Sequence, residues 1–305
     1  MGGIFPLRLD LAITYGKRSG YKLKGLTLKA PAKINLFLEI LNQREDGYHN
    51  ISTLMQRISL HDTLTFLKIN EGVIIKTDNI QLPSDRRNLV HQAARLILSE
   101  GKVAQGVKIF LRKKIPISSG LGGGSSDAAS TLLGVNRLYN LNYPLKRLHL
   151  LAEKLGSDVP FFLYDQTALA EGRGERMKPV KSYRDYWIVL VTFPFQVSTA
   201  WAYQDVKINL TRRAEFIKIK NLQEKEGFLA ALNTWKNDFE GKIIEKYPQV
   251  RYALKLLLKL GARKSSMTGS GPTVYGIFEQ EPKNEEVKKF FQRGDWQIFI
   301  TRPIP

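Results

Sequence analysis

Apolar positions along the chain change their period several times, and each change predicts an element. Leu26 to Ile40, LTLKAPAKINLFLEI, is a β-rich run, and it predicts strand on either side of a break at Pro31. Ile51 to Leu60, Thr63 to Ile69 and the shorter Gly72 to Thr77 read as further strands. At Asn88 the period shifts to that of a helix. Its side chain can cap the run LVHQAARLILSE, whose apolar positions return at helical spacing. Gly106 to Leu111 predicts a strand, Ser125 to Tyr139 a helix, and Leu145 to Leu155 a second helix behind Pro144 that Gly156 can end.

The pattern changes again near Lys181. Trp187 to Thr192, WIVLVT, predicts a buried strand, and Asp205 to Glu226 is polar and basic, as an exposed loop or arm would be. Helices are expected at Asn233 to Lys246 and Gln249 to Leu260. A strand–loop–strand in KSSMTGSGPTVYGIF follows, then a helix from Glu285 to Gln292 and a last strand from Trp296 to Thr301. The order β, α, α, β, loop, β, α, β predicts a second α+β domain of ferredoxin-like type. The expected organisation is an α+β chain of two domains, 26–185 and 186–305, behind an N-terminal extension at 1–25. No internal repeat is visible.

Composition narrows the chemistry. The 305 residues are 43% apolar and 25% charged, an ordinary globular balance with ample material for a core. Cysteine is absent, which excludes disulfides, a thiolate nucleophile and cysteine-ligated metal centres. His49, His61, His91 and His149 are too dispersed for a paired-histidine zinc motif. Among them His61 flanks a strand while His91 and His149 fall in helices, so these three read as structural. The net charge of +19, from 47 basic and 28 acidic residues, attracts polyanions without choosing among nucleic acid, acidic membrane and phosphorylated small molecules. No run reaches the length of a spanning helix, and Arg8 and Asp10 interrupt the apolar stretch Ile4 to Tyr15, so a cytoplasmic protein is expected.

The sharpest chemical signal is Pro116 to Ser130, PISSGLGGGSSDAAS. Gly120, Gly122, Gly123 and Gly124 allow left-handed backbone and close approach by a ligand, and the helix that opens behind them presents free N–H groups, so the segment predicts a phosphate cradle. Ser125 and Ser126 add hydroxyls, one of which is the candidate Mg²⁺ ligand. The loop lacks the lysine of a P-loop and the strand-borne acid of a dinucleotide fingerprint. Lys33 and Asn35 are separated by one residue, so in a strand they share a face. Asp158 follows a helix and precedes an apolar stretch in GSDVPFF.

Taken together, PAKINLFL, PISSGLGGGSSDAAS and MTGSGPTVY resemble the three motifs of the GHMP small-molecule kinases. With REDGYH (Arg44 to His49) and GSDVPFF, the chain resembles the branch that phosphorylates 4-diphosphocytidyl-2-C-methyl-D-erythritol in the non-mevalonate isoprenoid pathway. The resemblance runs from about Leu26 to Arg302. It implies a GHMP fold whose N-terminal domain is of the ribosomal protein S5 domain 2 type and whose C-terminal domain is ferredoxin-like. ATP is the implied co-substrate, with Mg²⁺. Pro116, Ser118, Ser119, Gly120, Leu121, Gly122, Gly123, Gly124, Ser125 and Ser126 are the implied ATP-binding residues. Asp158 is implied as the acceptor of the hydroxyl proton and Lys33 as its cationic partner. On the substrate side the resemblance implies Asp158, Asn35, Gly269, Ser270 and Gly271, with Tyr48 and His49 holding cytosine and Tyr203 stacking on it. Asn237–Asp238 resembles a family feature of the second domain to which no role attaches.

The partner expected is therefore a small cytidyl compound, with neither nucleic acid nor membrane; oligomeric state is open. Two alternatives stand beside it. One is a GHMP kinase of mevalonate or homoserine type, against which REDGYH argues. The other is a basic RNA-binding protein, which the charge permits although no zinc-finger spacing or RNP-type strand is present.

Overall fold

The computed structural model describes residues 12–16, 23–204, 221–292 and 294–305. The expected arm at Asp205 to Glu226 lies outside the described residues as far as residue 220, as does most of the N-terminal extension. In chain order the elements are β1 (Ala12–Gly16), β2 (Leu23–Gln43), β3 (His49–Ile69), β4 (Val73–Thr77), α1 (Leu89–Glu100), β5 (Gly106–Arg112), α2 (Gly123–Leu138), α3 (Leu145–Glu153) and a 3₁₀ turn at Pro160–Leu163. They continue with β6 (Thr167–Gly172), β7 (Arg176–Val180), β8 (Trp187–Thr192), α4 (Thr199–Tyr203), α5 (Lys225–Thr234), α6 (Glu240–Lys246) and α7 (Pro248–Lys259). The last are β9 (Lys264–Met267), β10 (Val274–Phe278), α8 (Asn284–Phe290) and β11 (Gln297–Thr301).

The chain forms two compact units that interleave along the sequence. The first takes residues up to Ala32, His61–Ile115 and Gly122–Asp165; the second takes Lys33–Leu60, Pro116–Leu121 and Gln166–Pro305.

In the first unit β1 pairs antiparallel with the start of β2, the end of β3 pairs antiparallel with β5, and β4 lies parallel to β5. The parallel step is made through α1, as a βαβ crossover requires. Asn88 caps α1 as the sequence predicts: its side chain accepts from the N–H of Val90 at 2.9 Å. Val90, Ala93, Ala94, Ile97 and Leu98 form the buried stripe of that helix. The stripe packs on α2, whose buried residues include Ala128, Ala129, Leu132 and Val135. Small residues there let the helices approach closely.

In the second unit β8, β9, β10 and β11 form an antiparallel sheet in the order β11-β8-β10-β9. Two edge strands that follow helices flank the pair β8 and β10, which is the ferredoxin-like arrangement expected from the element order. Val189, Val191, Val274 and Phe278 from the sheet pack with Val250, Ala253 and Leu257 of α7 and Val287 of α8. The same unit holds the antiparallel hairpin β6–β7, whose β6 pairs with Ile51–Met55 of β3. The sequence pattern does not predict this hairpin, because Thr167 to Val180 is too mixed in polarity to show a period.

Three expectations are corrected. Pro31 does not break β2, which runs unbroken from Leu23 to Gln43. The N–H groups of Lys33 and Asn35 turn away from the ladder, to Leu121 and Thr268, and Pro31 has their parity. Its missing N–H thus falls on that same side, where among the described residues no strand pairs with Pro31, since β1 lies against Leu23–Thr27. The two predicted strands at Ile51 to Ile69 are one strand, β3. The single helix expected from Asn233 to Lys246 is two, α5 and α6, with extended chain between them.

Packing in the first unit yields a test. A Cβ on Gly134 of α2 would lie 2.5 Å from the Phe66 ring, and Phe66 is fully buried. Gly134→Ala is expected to cost about 1–3 kcal/mol of stability, the usual penalty of overpacking. Gly241→Ala, on α6 with nothing within 4 Å of the new methyl, is expected to stabilise by up to about 1 kcal/mol. Urea denaturation measures both; equal stabilities for the two variants would contradict the packing described.

Candidate active site

Lys33 lies in β2 inside the second unit and is only 4% exposed. An ammonium this buried needs partners. Its Nζ donates to Asn35 Oδ1 at 2.6 Å, across the two-residue spacing that puts both side chains on one face. Asn35 is itself bound on every side. Its Nδ2 donates to Thr53 Oγ1 at 2.8 Å, and the Thr53 hydroxyl in turn donates to the Phe37 carbonyl at 2.6 Å. The Asn35 N–H donates to Thr268 Oγ1 at 2.9 Å, and that hydroxyl donates back to Asn35 Oδ1 at 3.2 Å. Tyr275 donates its hydroxyl to the carbonyls of Asn35 and Leu36, both at 3.1 Å. Burial, with Glu240 nearby, pushes the Tyr275 hydroxyl well above its ordinary value, so it remains a donor.

The glycine loop meets the same strand. Within the second unit the Lys33 N–H donates to the Leu121 carbonyl at 2.9 Å. Gly120 has φ of 79°, and a Cβ there would sit 2.6 Å from the Thr268 carbonyl, so only glycine fits both the backbone angle and the space. Ser119 Oγ donates to the Pro116 carbonyl at 2.7 Å, while Ser118 takes a left-handed φ of 53°. The third motif lies beside it: Gly269 and Gly271 have φ of 58° and 85°, and Ser270 Oγ is 3.0 Å from Thr199 Oγ1. The first and third motifs and the front of the second are thus joined by hydrogen bonds and close backbone contact.

The rest of the glycine motif opens α2 in the first unit. Gly122 is the left-handed N-cap, and no side chain caps the helix. The predicted start at Ser125 moves forward to Gly123, because glycines can make the first turn. Gly124 is exposed, Ser125 half-buried and Ser126 fully buried, and Ser126 Oγ has no hydrogen-bond partner. Asp158, also in this unit, sits half-buried in the turn between α3 and the 3₁₀ turn at Pro160–Leu163.

A charged cluster in the first unit escaped sequence reasoning. Lys113 Nζ lies 2.5 Å from Asp62 Oδ2 and 2.8 Å from Asp127 Oδ2, with all three side chains buried. Asp62 Oδ1 also accepts the N–H groups of Lys114 and Ile115, at 2.6 and 2.9 Å. Asp127 Oδ1 has no partner. Burial pushes the Asp127 carboxyl up to about 8; Lys113 opposes this and Asp62 adds to it. Burial pulls Lys113 down, but Asp127 and Asp62 outweigh it and hold the ammonium above its ordinary value. The available signal was Asp127 itself, an acid set among the small residues that α2 buries.

The aromatic residues divide into two groups. His49 and Tyr203 stack with ring centroids 4.9 Å apart and planes at 18°, and Phe239 meets Tyr203 edge-on at 4.8 Å. Tyr48 is 57% exposed, and the Arg173 guanidinium lies 4.8 Å above its ring. Asp46 accepts the Tyr48 N–H at 3.1 Å and pairs with Arg44 at 3.0 Å, which fixes the β2–β3 turn.

Comparison with known proteins agrees with the motifs. Residues 88–166 match the model of the GHMP kinases N terminal domain, and residues 219–294 match that of the GHMP kinases C terminal domain. A 4-diphosphocytidyl-2-C-methyl-D-erythritol kinase of Syntrophus aciditrophicus is 40% identical over 92% of this chain and 99% of its own length. A solved 4-(cytidine 5'-diphospho)-2C-methyl-D-erythritol kinase is 33% identical, with a TM-score of 0.75 over 92% of this chain and 99% of that one. A homoserine kinase of Cytophaga hutchinsonii shares the fold, with a TM-score of 0.67 over 95% of this chain and 98% of its own, at 17% identity.

The Asp127 carboxyl yields a pH test. With its folded pKa near 8 against an ordinary 3.8, the folded state keeps a proton that the unfolded state releases. That contribution to stability is full at low pH and is lost as pH rises through about 8. Asp127→Asn cannot ionise and lacks this loss. The melting temperature of the variant minus that of the native protein is expected to grow from about pH 5 to about pH 8. Parallel melting profiles over that range would contradict the assignment.

Proposed function

The chain belongs to the 4-diphosphocytidyl-2-C-methyl-D-erythritol kinases within the GHMP kinases, and on that premise we propose that it transfers the γ-phosphoryl group of ATP to the 2-hydroxyl of 4-diphosphocytidyl-2-C-methyl-D-erythritol. One observation carries the chemistry: a buried lysine hydrogen-bonded to Asn35, with its own N–H on the glycine loop and Asn35 bound to the third motif. The substrate follows from the relatives.

In this reading the glycine loop from Pro116 to Ser126 receives the ATP phosphates on its backbone donors. The substrate oxygen attacks the γ-phosphorus while its bond to the ADP oxygen breaks, and ADP leaves with the electron pair. The hydroxyl proton passes to the Asp158 carboxylate, which makes the alcohol nucleophilic as the new bond forms. Lys33 supplies positive charge at the transferring group, and its fixed seat means no reorganisation is needed when charge moves.

The residues fit a Mg²⁺ ion brought in on phosphate. Among the described residues no cluster of three or more metal-binding side chains exists, while Ser126 Oγ is buried and unpartnered and Ser125 is half-buried beside it. When bound, the ion would neutralise phosphate charge. The stacked His49–Tyr203 pair and exposed Tyr48 supply flat surfaces for cytosine, where stacking is worth roughly 1–3 kcal/mol per base. The basic charge favours a substrate and a co-substrate that both carry phosphate. Among the described residues no helix is long and apolar enough to cross a membrane.

An assay of ADP release tests the reading. Turnover is expected with the cytidyl methylerythritol substrate and not with mevalonate, homoserine or CDP; preference for mevalonate or homoserine would overturn the substrate assignment. Asp158→Asn is expected to lower kcat by roughly 10²–10⁴ with little change in substrate binding. An Asp158→Asn enzyme that transfers phosphate at the native rate would remove the base from the mechanism.

A further inference from the structure

The break between α5 and α6 has a physical cause that points beyond the folding of the second unit. Asn237 occupies it and is only 6% exposed. Its Nδ2 donates to two carbonyls at once, Met267 at 2.7 Å and Gly269 at 2.9 Å, while its Oδ1 accepts the Phe239 N–H at 3.0 Å. The residue bracketed by those two carbonyls is Thr268. Its hydroxyl holds Asn35 twice, and Asn35 Oδ1 holds Lys33 Nζ.

We infer that Asn237 is a positioning residue for phosphoryl transfer, acting on Lys33 through Thr268 and Asn35. The inference rests on the reading of Lys33 as the cation at the transferring group. A loop with glycines at φ of 58° and 85° has an unusually large choice of backbone states. One buried amide that binds the carbonyls on both sides of Thr268 removes that choice and fixes where the Thr268 hydroxyl points. Glu240 adds a second hold on the same strand end, accepting from Ser266 Oγ at 3.0 Å and the Met267 N–H at 2.9 Å.

The segment also grips β2 directly. Leu38 donates its N–H to Lys236 and accepts that of Asp238, each at 2.9 Å, and Asp238 Oδ2 accepts the Ile40 N–H at 2.8 Å. Residues 236–238 therefore fix the strand that carries Lys33 and the loop that orients Lys33's partner. Asn237 has both ends of its amide engaged, so its effect passes through these bonds and not through contact with substrate. Loss of the amide would leave two carbonyls without this donor, loosen Thr268 and blur the position of the ammonium. Small displacements of a charged group in a phosphoryl-transfer site act on the transition state more than on bound substrate.

The test is single-turnover phosphoryl transfer and steady-state kinetics on Asn237→Ala, Thr268→Val, their double variant and Lys33→Ala, with melting temperatures recorded. Each of the first two is expected to lower the transfer rate roughly 10- to 100-fold, with KM for ATP and for the cytidyl substrate within about twofold of native. Thr268→Ser, which keeps the hydroxyl, is expected to recover most of the rate lost in Thr268→Val. If both residues act through one path, the double variant falls no further than the worse single one. A raised KM with unchanged kcat, multiplicative losses in the double variant, or folded variants with native rates would overturn the inference. A native rate in Lys33→Ala would instead overturn the reading on which it rests.

Discussion

A buried ammonium is the constraint around which the second unit is arranged. Lys33 emerges from an apolar strand, where an unpaired charge would cost several kcal/mol. Asn35 accepts one of the ammonium's N–H bonds locally, and each remaining polar group of Asn35 then needs its own partner. Thr53, Thr268 and Tyr275 supply them from three other parts of the chain. A fully satisfied hydrogen-bonded network of this kind can fix the Lys33 ammonium more tightly than apolar packing alone. The third glycine motif is drawn in by the same demand, since the hydroxyl that completes Asn35 belongs to Thr268.

The first unit solves a related problem with opposite charge balance. Two buried carboxyls share one lysine in the Asp62–Lys113–Asp127 cluster, leaving Asp127 poorly compensated and its proton strongly held. The cluster ties β3 and the chain leaving β5 to the first turns of α2. Pre-organised helix starts of this type suit phosphate binding, because the donors are aligned before the ligand arrives.

Local chemistry made much of this legible beforehand. Asn88 and the stripe behind it defined α1, and WIVLVT defined β8 residue for residue. The glycine loop announced itself through residue types that only a close backbone approach requires, and Gly120 shows that approach at Thr268. What stayed hidden depends on partners distant in sequence. The helix ends before Asn237 because its amide bonds to carbonyls 30 and 32 residues away, which no helical period reveals. Nothing in the sequence sets Lys113 apart from the many other cations of this chain, and only the fold brings Asp62, 51 residues earlier, to its side. Pro31 misled for the converse reason: its cost depends on whether a neighbouring strand needs its N–H, and among the described residues none does.

The account stands most directly on Lys33. The decisive measurement is the rate of a single phosphoryl transfer in Lys33→Ala, with the dissociation constants of ATP and the cytidyl substrate determined calorimetrically on the same folded sample. If the seated ammonium stabilises the transition state, the transfer rate falls by orders of magnitude while both dissociation constants change little. A near-native transfer rate, or a loss explained wholly by weaker substrate binding, would contradict it.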